Sequence, residues 1–280
     1  MNKTVKITHL YPKELSIYGD IGNILCLKYE LGKLGLEIEY QTVDLGKDSG
    51  FPENTDFYFI GGGQDKEQEI VFLDLFEKKE KLITDIENNV PLLGICGGYQ
   101  LLGKKFLTGK GDLIGGLGVF NVETKAPENG TVKTRCTGNL IVECILDEIK
   151  GTKLVGFENH SGQTVFLENK SNRSGECSPL GRCSPLGRVL HGFGNTNLAD
   201  FEGCVYKNAI GTYLHGCCLS KNTNLTNWFI LKIMENWQDK EMIEKIKKLI
   251  KEPIHLEDTP ENQSEIADLA KNYLLKRFLA

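Results

Sequence analysis

The feature that most constrains the fold is a run of bulky apolar residues that stops at a cysteine flanked by glycines, VPLLGICGGYQ at positions 90–100. An apolar run of this length, bounded by turn residues, is typical of a buried strand in a parallel sheet. The residues from Tyr99 to Leu102 continue in the pattern of an amphipathic helix. The segment therefore predicts a strand, a sharp turn at Cys96 and a helix.

The first half of the chain repeats this alternation of strand and helix. Four more strands are predicted, with the sequences KITHL, LSIYG, EIEYQTV and DFYFI. Asp20 has the position of an N-cap for a helix that extends past Leu31. A second helix is predicted through Ile70, Phe72, Leu73 and Phe76. Alternating units of this kind predict the α/β class, with a mainly parallel sheet flanked by helices.

The second half of the chain has a different pattern. Between about Gly115 and Tyr213, short strands such as NLIVEC, TKLVGF and AIGTYL alternate with loops, which predicts antiparallel or mixed pairing. The hexapeptide CSPLGR occurs in tandem at 177–182 and 183–188. A Pro-Leu-Gly repeat this short predicts a duplicated surface loop.

The C-terminal part is predicted to be helical. Three helices are expected after Leu225, with breaks at Pro253 and Pro260. We therefore expect a main domain at residues 1–225 and a helical extension at 226–280, packed on that domain or on a partner.

Composition and charge exclude several classes of protein. The net charge is −5 over 280 residues, so there is no broad basic surface and nucleic acid is not an expected partner. No run approaches the roughly 18 apolar residues of a membrane span, and no export signal follows the N-terminal lysines, so we expect a cytoplasmic protein that does not span a membrane. The nine cysteines are odd in number and lack paired C-x-x-C spacing, which argues against a disulfide framework and against a metal site.

Cys96 is the candidate nucleophile. Glycines at 94, 97 and 98 allow a turn that exposes the sulfur while backbone amides converge on one point, as an oxyanion hole requires. The positive end of the following helix favours the attacking thiolate. The alternative is a structural cysteine at the end of a core strand, but that would not require glycine at these three positions.

A thiolate that attacks an amide also needs a general acid, and histidine is the usual one near neutral pH. Of the five histidines, His215 is the best placed, because it follows the apolar segment GTYL at the carboxyl end of a predicted strand. His160 and His191 are in polar, glycine-containing loops that could line a site. His9 and His255 are expected to be packed or solvated.

At this point the chain resembles a known family. The motifs GGGQD, GICGGYQ and GTYLHG, in this order, are similar to those of class I glutamine amidotransferases of the cobyric acid synthase type. Together with SIYGDIGN, GFENHSG and the helical tail, they make the chain most similar to the GatD family, the glutaminase subunit of lipid II isoglutaminyl synthase. The resemblance implies a flavodoxin-like fold and the hydrolysis of glutamine to glutamate and ammonia through a thioester.

The resemblance also implies roles for particular residues. Cys96 corresponds to the nucleophile and His215 to its acid/base partner, in agreement with the choice made from the residues alone. Arg135 falls where the family has a substrate-binding arginine, and a guanidinium suits the α-carboxylate of glutamine. The other implied residues form the oxyanion hole (Gly62 or Gly63 with Gly97) and contact glutamine (Gln100, Asn159, His160 and Ser161).

The third member of a catalytic triad is absent from its usual place. Many class I amidotransferases have a glutamate two residues after the histidine, but this position is Cys217. Asp20 and Glu158 are candidates within the chain, and a carboxylate from a partner subunit is equally consistent.

The use of ammonia implies a second polypeptide. The chain has no G-x-x-x-x-G-K-[ST] loop, so no cofactor is expected in it, and the ATP and Mg²⁺ for ammonia transfer are expected in a partner. The resemblance implies a Mur-ligase-like partner, MurT, which activates the α-carboxylate of D-glutamate in lipid II for conversion to D-isoglutamine in peptidoglycan synthesis.

Other functions stay open at this point. A cobyrinate-type subunit, or one serving another acceptor, would share Cys96 and His215 and differ in the synthetase that accompanies it. A cysteine hydrolase or redox sensor on the same elbow would use Cys96 without glutamine. A non-catalytic scaffold would not need Cys96.

Overall fold

The computed structural model describes residues 3–46, 48–127, 135–167, 183–198, 200–251, 271–272 and 275–279. Its strands are β1 (Thr4–Leu10), β2 (Glu37–Val43), β3 (Phe57–Ile60), β4 (Leu92–Ile95), β5 (Lys105–Leu107), β6 (Leu113–Gly115), β7 (Val122–Lys125), β8 (Cys136–Cys144), β9 (Lys153–His160), β10 (Gln163–Phe166), β11 (Gly187–His191), β12 (Phe201–Glu202), β13 (Cys204–Tyr206) and β14 (Ala209–Thr212). Its helices are α1 (Ile21–Lys33), α2 (Asp65–Glu87), α3 (Gly97–Leu102), α4 (Cys218–Lys221), α5 (Thr223–Asn236) and α6 (Lys240–Lys251).

Six strands form the central sheet, in the order β13-β14-β4-β3-β1-β2. Every neighbouring pair in this sheet is parallel except β13 and β14, which are antiparallel at its edge. Two further sheets of four strands have the orders β10-β7-β5-β6 and β12-β11-β8-β9, with mostly antiparallel pairs. The predicted α/β class with a mainly parallel sheet is confirmed.

The middle of the central sheet is buried on both faces. All four residues of β3 and all four of β4 are buried, as expected for parallel strands that helices cover on both sides. Helix α5 provides part of this cover, and its Phe229 ring packs edge-on against Phe57 with centroids 5.2 Å apart. The predicted domain boundary at residue 225 lies within α5, so residues on both sides of it pack into one core.

The segment LSIYG at 15–19 does not form the predicted strand. The Asp20 amide donates to the Ile17 carbonyl at 3.1 Å, which closes a turn. The two residues between them, Tyr18 and Gly19, have φ of 54° and 75°. This left-handed pair is typical of a tight turn and incompatible with a strand.

Helix α2 forms as predicted, and Phe72 is half-buried against the core. The other apolar residues that indicate the helix do not form its buried face. Leu73 is 65% exposed, and Ile70 and Phe76 are also exposed. The face against the sheet is made instead by Val71, Leu75, Leu82 and Ile86. No helix in the described residues is both long and apolar enough to span a bilayer.

The second copy of CSPLGR is not a surface loop. Ser184 pairs with Val205, Leu186 is fully buried, and Gly187 begins β11. The apolar Leu186 and the close approach of Gly187 to Glu143 suit strand pairing, and sequence alone does not separate this from a turn. The first copy, Pro253 and Pro260 all lie outside the described residues.

Gly98 brings α3 into direct contact with the end of β3. A Cβ at this position would lie 2.6 Å from the Ile60 carbonyl oxygen and 2.9 Å from that of Gly61. Because these are backbone atoms at the end of β3 and directly after it, we expect Gly98→Ala to lower the free energy of unfolding by about 1–3 kcal/mol. Gly32→Ala, at an open position in α1, is expected to raise it by about 0.5–1 kcal/mol. Urea denaturation measures both changes, and equal midpoints for Gly98→Ala and wild type would contradict the close contact.

Candidate active site

Cys96 lies at the turn between β4 and α3, at the carboxyl edge of the central sheet. Its φ of 48° and ψ of −102° form a conformation that a residue with a side chain adopts only when its surroundings enforce it. The Cys96 amide donates to the Thr212 carbonyl at 2.8 Å, and the Cys96 carbonyl accepts from the Gln100 amide at 2.9 Å. These bonds hold the strained elbow that the sequence predicts for a nucleophile.

His215 meets Cys96 because β14 and β4 are parallel neighbours. Ile95 pairs with Thr212, so the two chain segments leave the sheet at the same edge. Two backbone hydrogen bonds fix His215 to Phe157, at 2.7 and 3.2 Å. The ring is fully buried, and its Nε2 makes no hydrogen bond within the described part of the chain. Cys96 is close enough to this ring to act on its pKa.

Asp20 supplies a carboxylate on the opposite side of the His215 ring. Its Oδ1 lies 3.2 Å from Nδ1 of His215, and its Oδ2 accepts from the Gly62 amide at 3.0 Å. The Asp20 side chain is fully buried. Asp20 does precede α1, as predicted, but it makes no side-chain capping bond, because its carboxylate is turned toward the histidine.

Glu158, the second candidate carboxylate, lies elsewhere. Its two oxygens accept from the amides of Phe193 and Gly194, at 2.7 and 2.9 Å. One of them also lies 3.6 Å from Nε2 of His160. Of the two candidates within the chain, Asp20 is therefore the one that the fold brings to His215.

The predicted oxyanion-hole glycines separate into two groups. A Cβ on Gly97 would lie 2.8 Å from the Gly63 nitrogen, so these two backbones are in contact. Neither of their amides donates a hydrogen bond among the residues described. The amide of Gly62 instead donates to Asp20, and that of Gly98 to Gly61. Gly63 and Gly97 thus have amides available beside Cys96, whereas Gly62 orients the carboxylate.

Cys96 opens into a cleft of about 590 Å³. This volume is in the usual range for a small-molecule site. The cleft is lined by all five residues predicted to contact glutamine: Gln100, Arg135, Asn159, His160 and Ser161. Lys66, Lys110 and Asp65 also line it, so together with Arg135 the lining carries a net positive charge suited to a carboxylate.

Two residues that line the cleft, Gln100 and His160, contact the buried Tyr213. The side-chain nitrogen of Gln100 donates to the Tyr213 hydroxyl at 3.2 Å. His160 stacks on the Tyr213 ring, with centroids 3.6 Å apart and planes at 10°. These contacts fix the orientation of both predicted substrate-contacting side chains.

Comparison with known proteins shows the family of the chain. Residues 6–223 match the family model of the CobB/CobQ-like glutamine amidotransferase domain. The GatD subunit of lipid II isoglutaminyl synthase (glutamine-hydrolyzing) from Staphylococcus aureus strain N315 is 36% identical over 82% of this chain and 84% of its own length. Its counterpart from Streptococcus pneumoniae strain R6 is 40% identical over 79% of this chain and 77% of its own length. The chain belongs to the GatD family.

The likeness of this GatD-family chain to cobyric acid synthases covers less of both proteins. A probable cobyric acid synthase from Methanothermobacter thermautotrophicus is 35% identical, over 48% of this chain and 25% of that protein. Membership of the GatD family confirms the predicted family and the expectation of an enzyme of the glutamine amidotransferase class.

Two other histidines, His9 and His191, lie away from the cleft. His9 is buried beside Phe59, and burial lowers its pKa to about 4. His191 ends β11, with its ring 4.4 Å from that of Phe278. His255 lies outside the described residues.

Sequence reasoning missed Ile17 and Tyr18, which line the cleft, and Tyr213, which binds the lining residue Gln100. The first two are in the SIYGDIGN segment beside Asp20, and the prediction of LSIYG as a strand concealed them. Cys217, at the position where many amidotransferases have glutamate, packs against the same segment, and its sulfur donates to the Gly19 carbonyl at 3.3 Å.

The charge of His215 should make the stability of this GatD-family chain depend on pH. Burial acts to lower the pKa of His215, but Asp20 and Cys96 outweigh it and raise the pKa from 6.5 to about 10. A raised folded-state pKa means that the protonated ring stabilises the fold fully below the unfolded value and that this contribution is lost as the pH rises toward the folded value.

We therefore expect the free energy of unfolding of the wild type to fall, relative to that of His215→Asn, as the pH rises from 6.5 to about 10. Urea titrations at several pH values in this window measure the difference. A constant difference between the two proteins would contradict a charged His215.

Proposed function

We propose that this chain is the glutaminase subunit of a two-subunit lipid II isoglutaminyl synthase. In this role it hydrolyses glutamine to glutamate and ammonia and passes the ammonia to a synthetase subunit. The observation that carries the proposal is the buried line of Asp20, His215 and Cys96 at the base of a cleft that holds Arg135.

The proposed reaction begins with attack of the Cys96 thiolate on the amide carbon of glutamine. The oxyanion accepts hydrogen bonds from the amides of Gly63 and Gly97, which have no other acceptor among the described residues. Nε2 of His215 donates its proton to the nitrogen that leaves as ammonia. A glutamyl thioester remains on Cys96.

Water then hydrolyses the thioester. The now neutral Nε2 of His215 takes a proton from the water, the thiolate leaves, and glutamate is released. Asp20 holds the ring through Nδ1 in both steps and stabilises its charged form. Arg135 receives the α-carboxylate of glutamine at the outer end of the cleft.

The acceptor half of the reaction is assigned to another polypeptide. The relatives from S. aureus and S. pneumoniae are named as subunits of lipid II isoglutaminyl synthase, which supports a partner for this chain as well. We assign to that partner a Mur-ligase-like fold of the MurT type, with the ATP and Mg²⁺ that activate the α-carboxylate of D-glutamate. Lipid II then binds the partner. Ammonia from this chain amidates the activated α-carboxylate of its D-glutamate, which becomes D-isoglutamine.

The test is transfer of labelled nitrogen. The chain, co-purified with its Mur-ligase-like subunit, is supplied with lipid II, ATP, Mg²⁺ and glutamine labelled with ¹⁵N in the side-chain amide. The expected result is isoglutamine that carries the label, found by mass spectrometry of the stem peptide. In the control, an excess of unlabelled ammonium is added to the same mixture. Ammonia that passes directly between the subunits does not mix with it, so the ¹⁵N content of the isoglutamine should fall less than it would if the ammonia were released into solution.

Two other results would each contradict a part of the proposal. Labelled ammonia without labelled lipid II would support the glutaminase activity and contradict lipid II as the acceptor. No release of glutamate in any combination of subunits would favour a hydrolase or redox sensor that uses Cys96 without glutamine.

A further inference from the structure

Tyr18 connects the two ends of the candidate site. Its ring lies edge-on against the ring of His215, with centroids 4.9 Å apart and planes at 74°. Its hydroxyl accepts a hydrogen bond of 2.6 Å from the side-chain nitrogen of Asn159. One side chain therefore contacts both the proposed acid/base and the outer wall of the cleft.

Asn159 extends this connection to Arg135. Its Oδ1 accepts from Nε of Arg135 at 2.5 Å and from the Thr137 hydroxyl at 3.2 Å. Both polar atoms of the Asn159 side chain thus bind protein groups, which suits a residue that orients Arg135. Because Arg135 is exposed, these bonds restrict a long side chain that would otherwise adopt many rotamers.

Backbone hydrogen bonds hold the turn that contains Tyr18. Its closing bond joins Asp20 to Ile17, and the Ile17 amide in turn donates to the Gly62 carbonyl at 3.3 Å. A left-handed φ at Tyr18 is costly for a residue with a side chain and persists only where the surroundings enforce it. One short turn therefore places a carboxylate at Nδ1 of His215 and a phenol ring against the same imidazole.

We propose that Tyr18 is a positioning residue for the glutaminase reaction. Its ring orients His215, and its hydroxyl, through Asn159, holds Arg135 in the pose that receives the α-carboxylate of glutamine. This inference rests on the proposed function. The ring and the hydroxyl act on different kinetic constants, since the ring affects the chemical step and the hydroxyl affects substrate binding.

The hydroxyl is tested by Tyr18→Phe, which keeps the ring. We expect the KM for glutamine to rise about three- to tenfold with kcat unchanged, an effect of the size of one lost hydrogen bond. Asn159→Ala should raise KM at least as much. The double variant should raise KM no further than Asn159→Ala alone, because both changes remove the same connection to Arg135.

The ring is tested by comparing Tyr18→Ala with Tyr18→Phe. Loss of the edge-to-face contact with His215 is expected to lower kcat about three- to tenfold in the alanine variant, while phenylalanine retains the wild-type kcat. Tyr29→Phe is the matched control, because Tyr29 is as exposed as Tyr18, at 46%, and does not line the cleft.

The measurement is glutamate release by the complex of this chain with its synthetase subunit, over a range of glutamine concentrations. A KM for Tyr18→Phe within about twofold of wild type, or KM effects that multiply in the double variant, would overturn the role of the hydroxyl. Equal kcat values for Tyr18→Ala and Tyr18→Phe would overturn that of the ring. Failure of the wild-type complex to release glutamate would instead contradict the proposed function, so the two failures are distinguishable.

Discussion

Replacing Cys96 by alanine is expected to lower glutamate release at least about 10⁴-fold, because removing a nucleophile removes the covalent route itself. Alanine keeps a Cβ at the same strained φ, so the elbow and the cleft should be preserved. The assay is glutamate release from glutamine by the complex with its synthetase subunit. A glutamine analogue with an electrophilic diazoketone should alkylate the Cys96 sulfur with loss of N₂, which adds the mass of the analogue less N₂ to the wild type and nothing to Cys96→Ala.

Cys26→Ala is the control for this experiment. Cys26 is a free, partly buried cysteine of α1 that does not line the cleft, so its replacement should leave both the rate and the labelling at the wild-type level. Residual activity of Cys96→Ala within tenfold of wild type would contradict the proposed nucleophile. Urea midpoints of the three proteins show whether any loss of rate is a loss of folding.

Asp20→Asn is expected to lower kcat about 10²- to 10⁴-fold with a small change in KM, because it removes the charge that orients and stabilises the His215 imidazolium. The two bonds of Asp20 explain the size of the effect. If the asparagine oxygen accepts from Gly62, its NH₂ group faces Nδ1 of His215 and imposes the wrong tautomer. If the amide is reversed, two donors face each other at Gly62.

This variant also decides where the third triad carboxylate comes from. Wild-type kcat for Asp20→Asn within the complex would contradict an internal carboxylate and favour one from the partner subunit. Glu158→Gln is the comparison, because the carboxylate of Glu158 binds the amides of Phe193 and Gly194. It is expected to lower stability by about 1–3 kcal/mol and to leave kcat largely unchanged.

The local parts of the fold could be predicted because each is encoded within a few residues. The run from Val90 to Gln100 contains a buried strand, a glycine turn and a helix start, and the structure has β4, Cys96 and α3 in these places. The prediction of LSIYG as a strand was wrong because it used the local pattern alone. Its apolar residues fit a strand, but the left-handed φ at Tyr18 is stabilised by contacts with distant residues.

The second CSPLGR copy shows the same limit. Proline and glycine indicate a turn when only neighbours along the chain are considered. In the structure, Ser184 pairs with Val205, and Gly187 pairs with both Cys144 and Glu202. The partners that convert this hexapeptide into part of a sheet are too distant in sequence for a local pattern to reveal them.

The sequence by itself determined the α/β class, the elbow at Cys96 and the choice of His215, because strand, turn and helix signals act over short distances. Only the tertiary structure decided which carboxylate faces His215, since Asp20 is 195 positions away and meets it through the sheet order β14-β4-β3-β1. Only the tertiary structure shows that the Gly62 amide donates to Asp20, whereas the amides of Gly63 and Gly97 donate no hydrogen bond among the described residues and can bind the oxyanion. Hydrogen-bond partners of this kind depend on how parallel strands bring loop ends to one edge, which no local pattern encodes.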